Sequence, residues 1–111
     1  MNNVMTINGF SAVILFDPDL QMFRGEFTGL NGGADFYAND VAGLLAEGRK
    51  SLDTFLEVCA ERGIEPRKEY SGKVLLRISR QVHEAATIAA QSEGKSFNQW
   101  AADVLEHAAQ A

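Results

Sequence analysis

The order of apolar and polar positions divides the chain into a strand-forming front, one long helix, and a short strand followed by two helices. Phe10-Ser11-Ala12-Val13-Ile14-Leu15-Phe16 is rich in β-branched and aromatic residues and runs into Asp17-Pro18-Asp19, which predicts a strand entering a turn. Met22 to Thr28 alternates, with Phe23, Gly25 and Phe27 on one face and Arg24 and Glu26 on the other, the period of a sheet with one buried side. Gly29, Gly32 and Gly33 supply turn conformations ahead of a short third strand near Ala34 to Ala38. A three-stranded antiparallel meander is expected.

Asn39 or Asp40 is placed to cap a helix from about Val41 to Arg62, where Val41, Leu44, Leu45, Leu52, Phe55, Leu56 and Cys59 recur at three- and four-residue spacing, and Gly63 ends it. Gly43 and Gly48 each cost the helix about 1 kcal/mol relative to alanine, a loss that close contact with the sheet would explain. A helix laid over one face of a small antiparallel sheet buries both apolar sides. Beyond it, residues 64–72 hold a proline, two glycine-flanked ends and a run of charges, and are read as a linker. The pattern then changes to a strand over Lys73–Ile78, a helix from about Arg80 to Glu93, a Gly94-Lys95 turn, and a helix from Phe97 to about His107 that a Ser96–Gln99 capping box starts. The expected fold class is α+β, with a front domain over 1–63, the linker over 64–72 and a rear domain over 73–111.

Lys73 to Ile78 alternates so that Val74, Leu76 and Ile78 point one way and Lys73, Leu75 and Arg77 the other. A single strand beside two short helices leaves both its edges unpaired, and about forty residues bury too little surface to be stable alone. A second copy solves both problems: two strands pair antiparallel across a twofold axis and the four helices interleave beneath them. Val74, Leu76, Ile78, Val82, Ala85, Ala89, Phe97, Trp100, Ala101, Val104 and Leu105 form the expected core. Such a ribbon fits the major groove of B-DNA and presents Lys73 and Arg77 twice, each able to donate to guanine O6 and N7. Backbone N–H groups around Ser96 and Phe97, with the charge of Lys95, would anchor a phosphate.

A net charge of −5 argues against a DNA binder until its distribution is considered. The first 69 residues carry eleven acids and six bases, whereas from Tyr70 onward Lys73, Arg77, Arg80 and Lys95 balance Glu84, Glu93, Asp103 and Glu106. The whole deficit therefore lies in front, where an acidic module suits a basic partner. Cys59 is the only cysteine, which excludes an internal disulfide and fits a reducing cytoplasm. No run approaches the roughly 18 apolar residues of a membrane span and no basic leader precedes a hydrophobic stretch, so a cytoplasmic location is expected. Asp17, Asp19, Glu26 and Asp35 raise a metal-dependent nuclease reading, but nothing in the sequence makes them converge, and turn formation or partner contact explains them better. Asp103 and His107 are two ligands without a third, and His83 has no companion. No cofactor, metal or enzymatic activity is expected.

The runs Lys73-Val74-Leu75-Leu76-Arg77-Ile78-Ser79, Gln81-Val82-His83 and Glu93-Gly94-Lys95-Ser96-Phe97-Asn98-Gln99-Trp100 resemble the ribbon-helix-helix fold of the Arc and MetJ type. With the Asp17-Pro18 turn, the helix ending Phe55-Leu56-Glu57-Val58-Cys59 and the connector Gly63-Ile64-Glu65-Pro66 into Tyr70-Ser71-Gly72-Lys73, roughly residues 7 to 108 resemble HicB antitoxins that carry a C-terminal ribbon-helix-helix domain. The resemblance implies a front module like a trimmed ribonuclease H-like fold that binds a small basic RNA-cleaving toxin, HicA, and a homodimeric rear module that represses its operon. It places Lys73, Leu75 and Arg77 at the base-facing positions of the ribbon. Leu75 departs from the family's polar residue there, exchanging adenine readout for contact with a thymine methyl or for weaker binding. The family's proline at the first rear helix is also replaced, by Ser79-Arg80, where the serine serves as N-cap. The competing expectation is a stand-alone regulator whose front domain senses a ligand or oligomerises.

Overall fold

The computed structural model describes residues 3–110, which divide into two compact units, residues 3–71 and 72–110. Each is described by itself.

The first unit is a two-layer α+β arrangement. Four strands, β1 (Val4–Ile7), β2 (Phe10–Asp17), β3 (Met22–Phe27) and β4 (Asp35–Ala38), pair antiparallel in chain order, and α1 (Val41–Arg62) lies against one face. The meander thus has one strand more than the three expected. β1 pairs with β2 through Ile7↔Phe10 across a two-residue turn in which Asn8 and Gly9 take φ of 50° and 82°. Two successive positive φ values define the hairpin turn whose twist matches that of the flanking strands, and Asn-Gly is the pair best suited to it.

α1 begins and ends where the caps dictate. Asp40 is the N-cap, its carboxylate accepting the Gly43 N–H at 2.6 Å, and Gly63 closes the helix in the left-handed region at φ 66°. The core comprises Ile7, Ala12, Phe27, Leu30, Phe36, Ala38, Leu44 and Leu52. Phe36 is its centre: a Cβ on Gly25 of β3 would clash with the edge of the Phe36 ring, and a Cβ on Gly48 of α1 would meet Ile7 and lie 3.1 Å from Phe36 Cζ. The helical glycines are the contact surface between the layers, as their cost in helix propensity suggested. Two expected core positions lie outside it. Val41 sits in the first turn of α1 beyond the reach of the sheet and is exposed, and Phe23, although on the helix-facing side of β3, is also exposed.

The segment read as a linker is bound to this unit through Lys68. Leu30 bridges to Arg67, Asn31 N–H donates to Pro66 O, and Lys68 N–H donates to Gly29 O at 2.8 Å. The Asn31 amide donates to both Glu65 O (2.8 Å) and Arg67 O (3.1 Å). Arg67 donates to Gly9 O at 3.1 Å while its guanidinium lies 3.9 Å from the centre of the Phe10 ring, a cation–π contact.

The second unit consists of residues 72–79 in irregular conformation followed by α2 (Arg80–Ser92) and α3 (Phe97–Gln110). The strand expected over 73–78 is not formed within this chain, where these residues have no neighbouring strand in the second unit to pair with. The expected core is not closed here: Val74, Leu76, Ile78, Val82, Phe97, Val104 and Leu105 are exposed, Ala85 is exposed, and Trp100, Ala89 and Ala101 are half-buried. The buried residues are instead Ala86 and Ala90, one position round the α2 helix from Ala85 and Ala89. Small side chains let α2 approach α3, and the larger apolar groups flank that contact rather than enter it.

Candidate nucleic-acid interface

Residues 73–78, the expected ribbon, are exposed throughout. Gly72, at φ 82°, precedes them, and Val74 and Leu76 are 72% and 58% exposed. Among the described residues Leu75 is the most exposed large apolar side chain, at 88%. Ser79 then starts the helix: its backbone is extended, at φ −66° and ψ 158°, and its hydroxyl accepts the Val82 N–H at 3.1 Å, capping α2. The serine thus performs the helix-starting task expected of it in place of proline.

Lys95, Ser96 and Phe97 come together at the start of α3. Gly94 turns the chain in the left-handed region at φ 69°, and Lys95 N–H donates to Ala90 O at 2.9 Å, closing α2. Ser96 Oγ accepts the Gln99 N–H at 3.1 Å, so half of the expected capping box forms. The other half does not, because the Gln99 amide donates to Asp103 Oδ1 at 2.9 Å. The Phe97 ring packs edge-on to His83 with 5.5 Å between centroids, tying α3 to the first turn of α2.

Asp103 is the member of this constellation that sequence reasoning placed elsewhere, beside His107. Lys95 Nζ reaches Asp103 Oδ2 at 2.9 Å. The hydrogen bond from Lys95, followed by that from Gln99, holds the Asp103 carboxyl below the usual carboxylate range, and the Asp103 bond raises the Lys95 ammonium above its ordinary value. The charge of Lys95 is therefore already partly answered within the chain. The spacing of Gln99 and Asp103, four apart on one helix, was the available signal.

The acidic residues of the first unit do not converge. Asp17 Oδ1 accepts the N–H groups of Asp19 and Leu20 in a turn, while Glu26 and Asp35 hold Arg24 at 3.2 and 3.1 Å. Asp35 is the first cause of a raised Arg24 pKa. Among the described residues no three metal-ligating side chains cluster, and no helix is long and apolar enough to cross a membrane.

No curated protein and no solved structure gives a match to this chain. A family model does: the HicB family model matches residues 55–105, from the last two turns of α1 through most of α3.

Proposed function

We propose that this protein is the antitoxin of a type II toxin–antitoxin pair, whose first unit neutralises a small basic HicA-like ribonuclease and whose second unit pairs with another copy to repress the operon. The observation that carries the reading is the exposure of the apolar residues of the second unit. Val74, Leu76, Ile78, Val82, Ile88, Phe97, Val104 and Leu105 all face solvent in one chain, and only two alanines are buried. Two buried methyl groups contribute about 1–2 kcal/mol, whereas ordering each residue costs about 1 kcal/mol or more. Burying a Val, Leu or Phe side chain contributes about 1.5–3 kcal/mol, so a shared core in a homodimer, or a higher homo-oligomer, reverses the balance.

In that dimer the 73–78 segments pair as a two-stranded ribbon in the major groove of operator DNA, with Lys73, Leu75 and Arg77 toward the bases and the start of α3, at Lys95, Ser96 and Phe97, toward a phosphate. The neutral charge balance of the second unit suits this task better than the acidic first unit. Replacing Arg77 by alanine should weaken operator binding by about 1–3 kcal/mol and relax base preference, while the mass of the oligomer stays unchanged. An Arg77→Ala variant that binds the operator as wild type does would remove the ribbon from the interface.

A further inference from the structure

In the first unit, large exposed apolar residues gather at the turn that joins β2 to β3. Leu15, Phe16, Leu20 and Phe23 are 58%, 53%, 56% and 37% exposed. The β2–β3 register places Phe16 opposite Phe23, and their rings meet edge to face with centroids 5.8 Å apart. Leu15, opposite Arg24, lies on the other face of the same hairpin, so apolar surface wraps its end.

This end is held in shape. Asp17 Oδ1 accepts the Asp19 and Leu20 N–H groups at 2.9 and 3.2 Å, Gln21 takes φ 55°, and its amide donates to Pro18 O at 2.8 Å. A continuous apolar run such as Ala12 to Phe16 is the pattern of a strand covered on both faces, yet α1 covers only one. Rigid aromatic and aliphatic anchors ringed by polar groups are the usual energetic centre of a protein interface.

Charge identifies the occupant. Asp17 and Asp19 stand in the turn, and the one cation of the hairpin, Arg24, is held between Glu26 and Asp35. A second copy would bring the same acids against these, whereas a basic protein meets complementary charge. We propose that the turn end of the β2–β3 hairpin is the docking surface for a basic protein, with Phe16, Leu20 and Phe23 as apolar anchors and Asp17 and Asp19 as the acidic rim. This deepens the antitoxin reading and rests on it for the identity of that protein as the toxin.

The test uses the full chain and, as probe, the purified product of whichever reading frame adjoins its gene, with affinity and association rate measured by surface plasmon resonance. Leu20→Arg should weaken binding by about 30-fold or more, the loss expected of a central interface residue. Asp19→Lys should lower affinity less and chiefly by slowing association, with a weaker dependence on salt. Both side chains are exposed in a turn, so melting temperature and oligomer mass should remain as in wild type. Wild-type affinity in both variants, with binding by the unaltered chain intact, would overturn this surface and leave the antitoxin reading standing. A fall in oligomer mass in either variant would make the hairpin end a self-association surface and overturn the proposal. If the unaltered chain does not bind the probe, the antitoxin reading falls and this surface with it.

Discussion

Both units carry apolar residues at spacings that demand burial, but in the first those residues meet one another and in the second they face outward. Ile7, Phe27, Phe36 and Leu52 close a core between sheet and helix within a single chain. In the second unit only Ala86 and Ala90 among the described residues are buried, and Val82, Ile88, Val104 and Leu105 stay in solvent. The difference shows how a short chain divides its stability. One part closes its core within its own sequence, and in the proposed dimer the other would have its folding joined to a second copy, with a stability that depends on concentration.

The strongest way to break the comparison is to attack the closed core. Phe36 is wedged between Gly25 and Gly48, and its ring also lies 5.3 Å from that of Phe27. Phe36→Ala should cost about 3–5 kcal/mol, most of what a unit of this size possesses. The melting transition of the first unit should fall steeply at every protein concentration. A transition that moved with concentration instead would show that this unit, too, relies on a partner.

Ile78→Asp acts on the open side of the comparison. It places a charge in the shared core proposed for the second unit and should cost about 2–4 kcal/mol of assembly, leaving the chain monomeric by mass at micromolar concentration. The transition of the first unit should remain where it was. If Ile78→Asp assembles as wild type does, the exposed apolar stripe has some other purpose.

A smaller effect is expected at the connector, which composition assigned to neither side. Asn31→Ala removes two hydrogen bonds, to Glu65 O and Arg67 O, and should cost about 1–2 kcal/mol, visible as faster exchange of the Lys68 amide that donates to Gly29 O. Unchanged exchange would mean that the backbone bonds to Pro66 and Gly29 and the contacts of Arg67 hold the segment down without the Asn31 side chain.

What was legible in the sequence follows the same division. The limits of α1 at Asp40 and Gly63 are local chemistry, a carboxylate cap and a left-handed glycine, and both were readable. So was the meaning of Gly48, because a glycine inside a helix needs a packing reason. β1 was also written locally, in Asn8-Gly9 between apolar residues, but a four-residue strand was too short to stand out by alternation. The connector was misleading because its bonds come from Asn31, more than thirty residues earlier in the chain, and no local pattern reports them. In the second unit, periodicity gave an apolar stripe on α2 but not the element that covers it. Ala86 and Ala90, which the expected core did not include, are the residues α2 buries within one chain. The candidate interface divides likewise: the alternation of 73–78 is visible in one dimension, and the bond from Lys95 to Asp103 is not.

That bond supplies the finest test of the proposed DNA-binding face. Asp103 is depressed by Lys95, so their attraction is fully present above the ordinary carboxylate range and is lost as pH falls through the lowered value. Lys95 is raised, so its share persists below the ordinary lysine range and is lost only as pH climbs through the higher value. Both groups face solvent, and the contribution to stability is small. Its effect on DNA binding is another matter, since a lysine answered by a carboxylate is a weaker phosphate ligand than a free one. Asp103→Asn should release Lys95, raise operator affinity a few-fold, and steepen the logarithmic salt dependence by about one contact's worth, roughly 0.9. An unchanged salt slope would place Lys95 away from the phosphates and leave the N–H groups at the start of α3 as the only anchor there.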